Sequence, residues 1–215
     1  MKRIIIAGSS GMIGNEVLKL CIARDDVSEI TLINRKPILN HDARIKEYIH
    51  KDFLNYDPIK EAFAHQDICF YCIGVYTGQV PKDEFNRITI DYTKAFASAL
   101  KAKSPGATFC FLSGQGADRS GKSSVLFAKA KGIAENDLFH LGFPHSYTFR
   151  PGYIYPVEKR KEPNLFYSLI RPLYKPLSFI YPNIGVPSAK LAKKMVEVGF
   201  NQYEKDTLEN QDIRS

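Results

Sequence analysis

The 215-residue chain has little of what marks a secreted, membrane-spanning or metal-binding protein. Its four cysteines follow no regular framework, which excludes a disulfide scaffold and points to a reducing cytoplasm. The opening MKRIIIAGSS holds too short an apolar run for a signal sequence. No stretch reaches the roughly 18 uninterrupted apolar residues that a spanning helix requires. The greasiest segment, FYSLIRPLYKPLSFIYP, is broken by Arg171, Lys175 and several prolines. Membrane spanning is therefore not expected, although surface contact stays open. The five histidines show no ligand spacing, so no metal site is expected. Lys and Arg outnumber Asp and Glu by 30 to 23, giving a net charge of +7, yet no block of five basic residues occurs. Nucleic acid is accordingly not the expected partner, and a nucleotide cofactor with several phosphates explains the charge more simply. Internal repeats and low-complexity segments are absent.

What the chain does have is 44% hydrophobic residues and a regular alternation of short apolar runs with helical spacing. RIIIAG reads as a buried strand, and Ile13 to Ala23 as a helix through Ile13, Val17, Leu20 and Cys21. EITLIN is a second strand, a weaker third runs near Tyr48 to His50, and a short helix follows around Ile59 to Ala64. DICFYCIG makes a fourth strand. Its Cys69 and Cys72 form a C-x-x-C string, but positions three apart on a strand face opposite sides, which argues against redox or zinc chemistry. A helix over Asp83 to Lys103 carries Phe85, Ile88, Tyr92, Phe96 and Ala99 on one face. ATFCFLSG, the helix containing LFAKAKGIAEN, and SYTFRPG complete the series.

Continuous apolar strands joined by helices predict a parallel sheet covered on both faces. The expected fold class is α/β, a Rossmann-type doubly wound parallel sheet with a small C-terminal lid. Residues 1–215 read as one domain, of which the proline-interrupted stretch 151–215 would fold over the ligand crevice on the substrate side. Short helices are expected there from Asn164 to Ser178 and from Ser188 to Phe200.

GSSGMIG puts Gly8, Gly11 and Gly14 between the first strand and the first helix. Glycine permits the tight turn and the close backbone approach that a pyrophosphate needs, and the helix N-terminus offers N–H groups to the anion. Ser9 and Ser10 could add hydroxyl donors. The alternative is a turn whose glycines serve packing alone. At the end of the second strand, where an NAD site usually keeps a carboxylate, the chain reads INRKP. Asn34, Arg35 and Lys36 supply two cations and no acid. Arg35 could stack on adenine and grip a 2′-phosphate with its planar fork, favouring NADP(H) over NAD(H). The alternative is a solvated basic loop.

These residues, with KDF after strand three, CIG closing strand four, LSGQGAD closing strand five and FRPG closing strand six, resemble the atypical short-chain dehydrogenase/reductases. The likeness is to their NAD(P)H-binding, NmrA-like branch, and within it to the Tat-interacting oxidoreductase-like proteins; it extends through LENQDIR over nearly the whole chain. The resemblance implies that Gly8, Ser10, Gly11, Met12 and Ile13 line the pyrophosphate and that Arg35, beside Lys36, meets the 2′-phosphate. Asp52 and Phe53 would border adenine, and Cys72, Ile73 and Gly74 would back the ribose and phosphates. Ser113 would be the active-site serine, Lys131 the catalytic-helix lysine on the nicotinamide ribose, and Pro151 and Gly152 the wall along the nicotinamide. Cys72 and Ile73 could equally be core, and Asp52 a residue that turns the chain.

The chain departs from the family at Phe127, which stands four residues before Lys131 and fourteen after Ser113, where the family keeps its proton-donating tyrosine. Positions 127 and 131 share a helix face, so the geometry is kept while the hydroxyl is lost. Tyr76 and Tyr153, with Tyr155, are the candidate substitutes. Two functions follow as expectations. One is an NADP-dependent oxidoreductase acting through Ser113, Lys131 and a relocated tyrosine, if one substitutes, on an unidentified small carbonyl compound or alkene. The other is a non-catalytic NADPH-binding redox sensor that presents a surface to a protein partner.

Overall fold

The computed structural model describes residues 1–39, 42–157 and 182–215. Seven parallel strands form one sheet in the order β3-β2-β1-β4-β5-β6-β9. They are β1 (Lys2–Ala7), β2 (Val27–Asn34), β3 (Ile45–Ile49), β4 (Ile68–Tyr71), β5 (Thr108–Leu112), β6 (His145–Arg150) and β9 (Thr207–Glu209). A separate parallel pair joins β7 (Tyr153–Tyr155) to β8 (Gly185–Pro187). The Rossmann-type sheet expected from the apolar runs is the one observed.

The central strands β1, β4 and β5 are apolar on both faces because both faces are covered. On one side Ile4, Ile6, Phe70, Cys110 and Phe149 pack under α1 (Met12–Ile22) and α5 (Ser188–Asn201). On the other, Ile5, Ala7, Cys69, Tyr71, Phe109 and Phe111 pack under α3 (Tyr92–Lys103) and α4 (Leu126–His140). Cys69 and Cys72 do fall on opposite sides, and the four cysteines are free thiols.

Two local departures matter for the cleft. The long helix expected over Asp83 to Lys103 is α2 (Lys82–Asn86), then a π-helical turn over Arg87–Asp91, then α3. Such turns often mark functional positions, and this one presents Ile88 and Tyr92 to the cleft described below. Part of the stretch 151–215, expected as a lid, packs into the body of the fold. Helix α5 lies against α1 in the body of the fold, and β9 extends the sheet beside β6 before α6 (Asn210–Arg214). The apolar face of α5, with Leu191, Ala192, Met195 and Val196 buried, is what draws it onto the sheet. The helix expected from Asn164 to Ser178 lies outside the described residues.

Candidate functional site

The strand order reverses at β1, whose neighbours β2 and β4 lead away in opposite directions. A crevice therefore opens over the carboxyl ends of these strands, the usual ligand position in such sheets. It consists of two adjoining clefts that share Gly11, Cys72, Ile73, Gly74 and Val75.

The first cleft is lined by Gly8, Ser10, Gly11, Asn34, Arg35, Phe53, Ile88 and Tyr92, among others. Gly8 has φ +83°, a left-handed conformation that disfavours side chains. A Cβ on Gly14 would lie 2.2 Å from Gly8 O, so the helix can approach the turn only because that position is glycine. Gly11 caps α1 in an extended conformation, with no side-chain hydrogen bond at the cap and no acidic residue in the first turn. The N-terminal N–H groups are thus left to an anion. Ser9 is not one of the donors: it is buried, and its hydroxyl donates to Asn34 Oδ1 at 2.9 Å. Asn34 in turn donates from Nδ2 to Glu47 Oε1 at 2.7 Å. Glu47 also accepts the Ile38 N–H, so a carboxylate on β3 steadies the loop that carries Arg35. No local sequence signal marks it.

Phe53 stacks on Tyr92, with ring centroids 5.6 Å apart. The turn behind it is held by His50, whose Nε2–H donates to the carbonyls of Asp52 and Asn55 at 2.6 and 2.8 Å. Lys36 and Asp52 are not among the residues lining this cleft. Both are exposed, and the Asp52 carboxylate accepts the Leu54 N–H, turning its own chain.

The second cleft has a volume of about 550 Å³ and is lined by Met12, Ile13, Tyr76, Ser113, Gly114, Phe127, Lys131, Pro151, Gly152 and Tyr153, with others. Tyr155 is not on this wall. The Phe127 ring tip rests on Gly114, where a Cβ would lie 2.4 Å from Cζ. Helix α4 reaches this position because Gly132 lets it press on the Asp118 backbone; a Cβ there would lie 1.8 Å from Asp118 O. The Gly152 N–H donates to Asn210 Oδ1 at 2.8 Å, so the LENQDIR segment fixes the wall of the cleft from behind.

Lys131 is buried, and its Nζ donates to Leu112 O at 2.9 Å and sits 4.8 Å from the Phe111 ring centre. Burial pulls its pKa down to about 8 against the opposing charge of Glu135. Ser113 donates its hydroxyl proton to Glu135 Oε1 at 2.6 Å. Glu135 is fully buried and also accepts from Arg119 Nε at 2.7 Å and from Arg150 Nε at 2.9 Å and Nη2. Burial alone would raise the Glu135 carboxyl; the bonds from Arg150 and Ser113 and the charges of both arginines hold it below its usual value. Glu135, Arg119 and Arg150 were missed in the sequence. The one available signal was Glu135 at i+4 from Lys131, on the same helix face.

The Lys131 shift has a testable sign. Between about pH 8 and 10.5 the unfolded chain holds a proton on this lysine that the folded chain does not, so stability rises with pH across that window. The penalty, up to about 3 kcal/mol, is fully present below it. Denaturant unfolding is expected to show Lys131→Met more stable than wild type at neutral pH, with the gap closing as pH approaches 10.5. A gap that stays constant would contradict the assignment.

No family model matches the chain. A curated relative, the FMP52 protein of Candida albicans, named as mitochondrial, is 30% identical over 161 residues, which is 73% of this chain and 68% of that protein. The chain belongs to the FMP52 family. HTATIP2 of the rat is 32% identical over 155 residues; the match takes 70% of this chain and spans 62% of the rat protein. Among solved structures, a short-chain dehydrogenase family protein from Francisella tularensis superposes with a TM-score of 0.68 at 14% identity, covering both chains completely. The Bordetella bronchiseptica enzyme WbmH in complex with NAD⁺ gives 0.61 at 12% identity, covering 97% of this chain and 85% of that one. These likenesses show the fold shared by this FMP52-family chain. Among the described residues, no helix is long and apolar enough to cross a membrane.

Proposed function

We propose that this FMP52-family chain binds a nicotinamide dinucleotide along the two joined clefts, NADP(H) in preference to NAD(H), and acts as an oxidoreductase on a small carbonyl acceptor. The observation that carries this reading is the continuity of the crevice, from Arg35 past the glycine turn to Ser113 and Lys131. Gly8, Ser10, Gly11, Met12 and Ile13 would hold the pyrophosphate, with the uncapped α1 N-terminus as its anion site. Phe53 would meet the adenine, and Arg35 the 2′-phosphate. Cys72, Ile73 and Gly74 would floor the middle, Lys131 would take the nicotinamide ribose, and Pro151 and Gly152 would flank the ring. When bound, such a cofactor supplies or removes a hydride. The residues around it orient the acceptor and neutralise the charge that develops.

The structural neighbour solved with NAD⁺ supports a dinucleotide in this crevice. The preference for NADP(H) rests on Arg35 and on the absence of an acid at the end of β2, where Asn34 is already committed to Ser9 and Glu47. Fluorescence titration is expected to give tighter binding of NADPH than of NADH. Arg35→Glu should weaken NADPH by about 10–100-fold, the worth of a charge-assisted contact, while changing NADH much less. Equal affinities in the wild type would reject the preference, and no binding of either would reject the reading as a whole.

A second reading is favoured by Phe127 alone: a non-catalytic binder that reports the NADPH state to a protein partner. NADPH that binds tightly, with no acceptor reduced across a broad carbonyl panel, would select it. The four free thiols suit a reducing compartment. The cytoplasm is our proposed address, against the mitochondrial names of the FMP52 relatives, and imaging of the tagged full chain decides between them.

A further inference from the structure

The second cleft is short of negative charge. The cluster behind it, buried at Lys131 and Glu135 and partly exposed at Arg119 and Glu209, holds three cations, Lys131, Arg119 and Arg150, against two carboxylates, Glu135 and Glu209. Arg150 takes both carboxylates and Arg119 shares Glu135 with it, so the surplus cation is Lys131. It is also the one cation among the described residues lining this cleft. Its own partners are the Leu112 carbonyl and the Phe111 ring, and neither is a counter-ion. The nearby Cys72 thiol is pushed up to about 12 by burial and carries no charge at neutral pH.

The rest of the wall is poor in acids. The Ser113 proton is given to an anionic Glu135, and withdrawing it would break a charge-assisted bond worth about 1.5–3 kcal/mol. Ser113 therefore offers lone pairs to the cleft. Position 127 offers a phenyl ring, and the remaining side-chain hydroxyls lining the cleft are those of Tyr76, Thr77 and Tyr153.

We propose that the space beside Lys131 is a binding site for a flat, conjugated oxyanion of the phenolate class, with the Lys131 ammonium as its counter-ion and Phe127 as an apolar wall. This deepens the oxidoreductase reading and rests on it for its catalytic meaning: the acceptor is a quinone and not an isolated ketone. A quinone that takes up a hydride from a dihydronicotinamide gains two electrons and one proton. One carbonyl becomes a hydroxyl and the other oxygen is left as a phenolate, while the nicotinamide is oxidised. The phenolate takes its second proton from Lys131, which recovers one from water. Such an anion is delocalised and far less basic than the alkoxide of a ketone, so it needs no tyrosine acid beside it.

The test needs no turnover. The full chain, with and without NADP⁺, is titrated with para-nitrophenol while the phenolate absorbance is followed against pH. The bound probe is expected to ionise about one pH unit or more below the free probe, and Lys131→Met should abolish that shift. A probe that binds neutral, an equal shift in Lys131→Met, or no binding at millimolar concentration overturns the proposal. A second arm follows NADPH consumption with a naphthoquinone and with α-tetralone, a ketone of matched size. The quinone is expected to react about 100-fold faster or more, and a ketone rate equal to or above it also overturns the proposal. The two readings fail separately. Ionised probe without NADPH affinity removes the oxidoreductase function and leaves the anion site; NADPH affinity with a neutral probe does the reverse.

Discussion

Phe127→Tyr is expected to raise the reduction of simple ketones and aldehydes by NADPH about 10²–10⁴-fold, the usual worth of general acid catalysis. The position lies one turn before Lys131 on α4, on the wall that also holds Ser113. The new hydroxyl would extend from the ring tip that now rests on Gly114, a place with no Cβ to obstruct a small shift of the ring. Steady-state rates over a carbonyl panel, with NADPH affinity and thermal melting as controls, check the outcome. A variant that folds and binds NADPH yet gains nothing would mean that Phe127 is only a wall of the cleft. A large gain would identify the scaffold as one that has lost its acid and kept its hydride geometry.

Glu135→Ala is expected to cost about 3 kcal/mol, because it removes the buried carboxylate that Arg119, Arg150 and Ser113 share and leaves Arg150 only the half-exposed Glu209. Against a typical total of about 5–15 kcal/mol this is a large share, so the unfolding midpoint in urea should fall sharply. Glu135→Gln keeps the shape and one acceptor oxygen and should cost less. The same carboxyl predicts acid sensitivity with a defined sign. Its folded pKa is depressed, so the stability it contributes is present above the unfolded carboxylate range and is lost as pH falls through the folded value. If Glu135→Ala unfolded at the wild-type urea concentration, the network would be ornamental and Ser113 would not be locked by it.

Most of the sheet was legible in the sequence, because a strand buried on both faces must be apolar at every position, and runs such as RIIIAG and ICFY have no other reading. The turn at Gly8, Gly11 and Gly14 was legible for a similar reason, as its backbone geometry excludes side chains. Strand β9 was not legible: three residues, TLE, are too few to show a period, and they become a strand only because β6 offers them an open edge. Likewise α5 has an amphipathic pattern that reads as a helix, while nothing in that pattern says that its apolar face meets α1.

The candidate site divides in the same way. By itself the sequence determined the glycine turn, the basic end of β2, and the order Ser113, Phe127, Lys131, since each depends on neighbours within a turn or two of chain. Only the tertiary structure decided where protons and charges go. It turned the Ser9 hydroxyl inward to Asn34, left Asp52 and Lys36 off the cleft wall, and closed Glu135 among Ser113, Arg119 and Arg150. Those partners come from separate strands, loops and a helix. A hydrogen bond between residues far apart in sequence has no local period, so only the packed fold determines which groups meet.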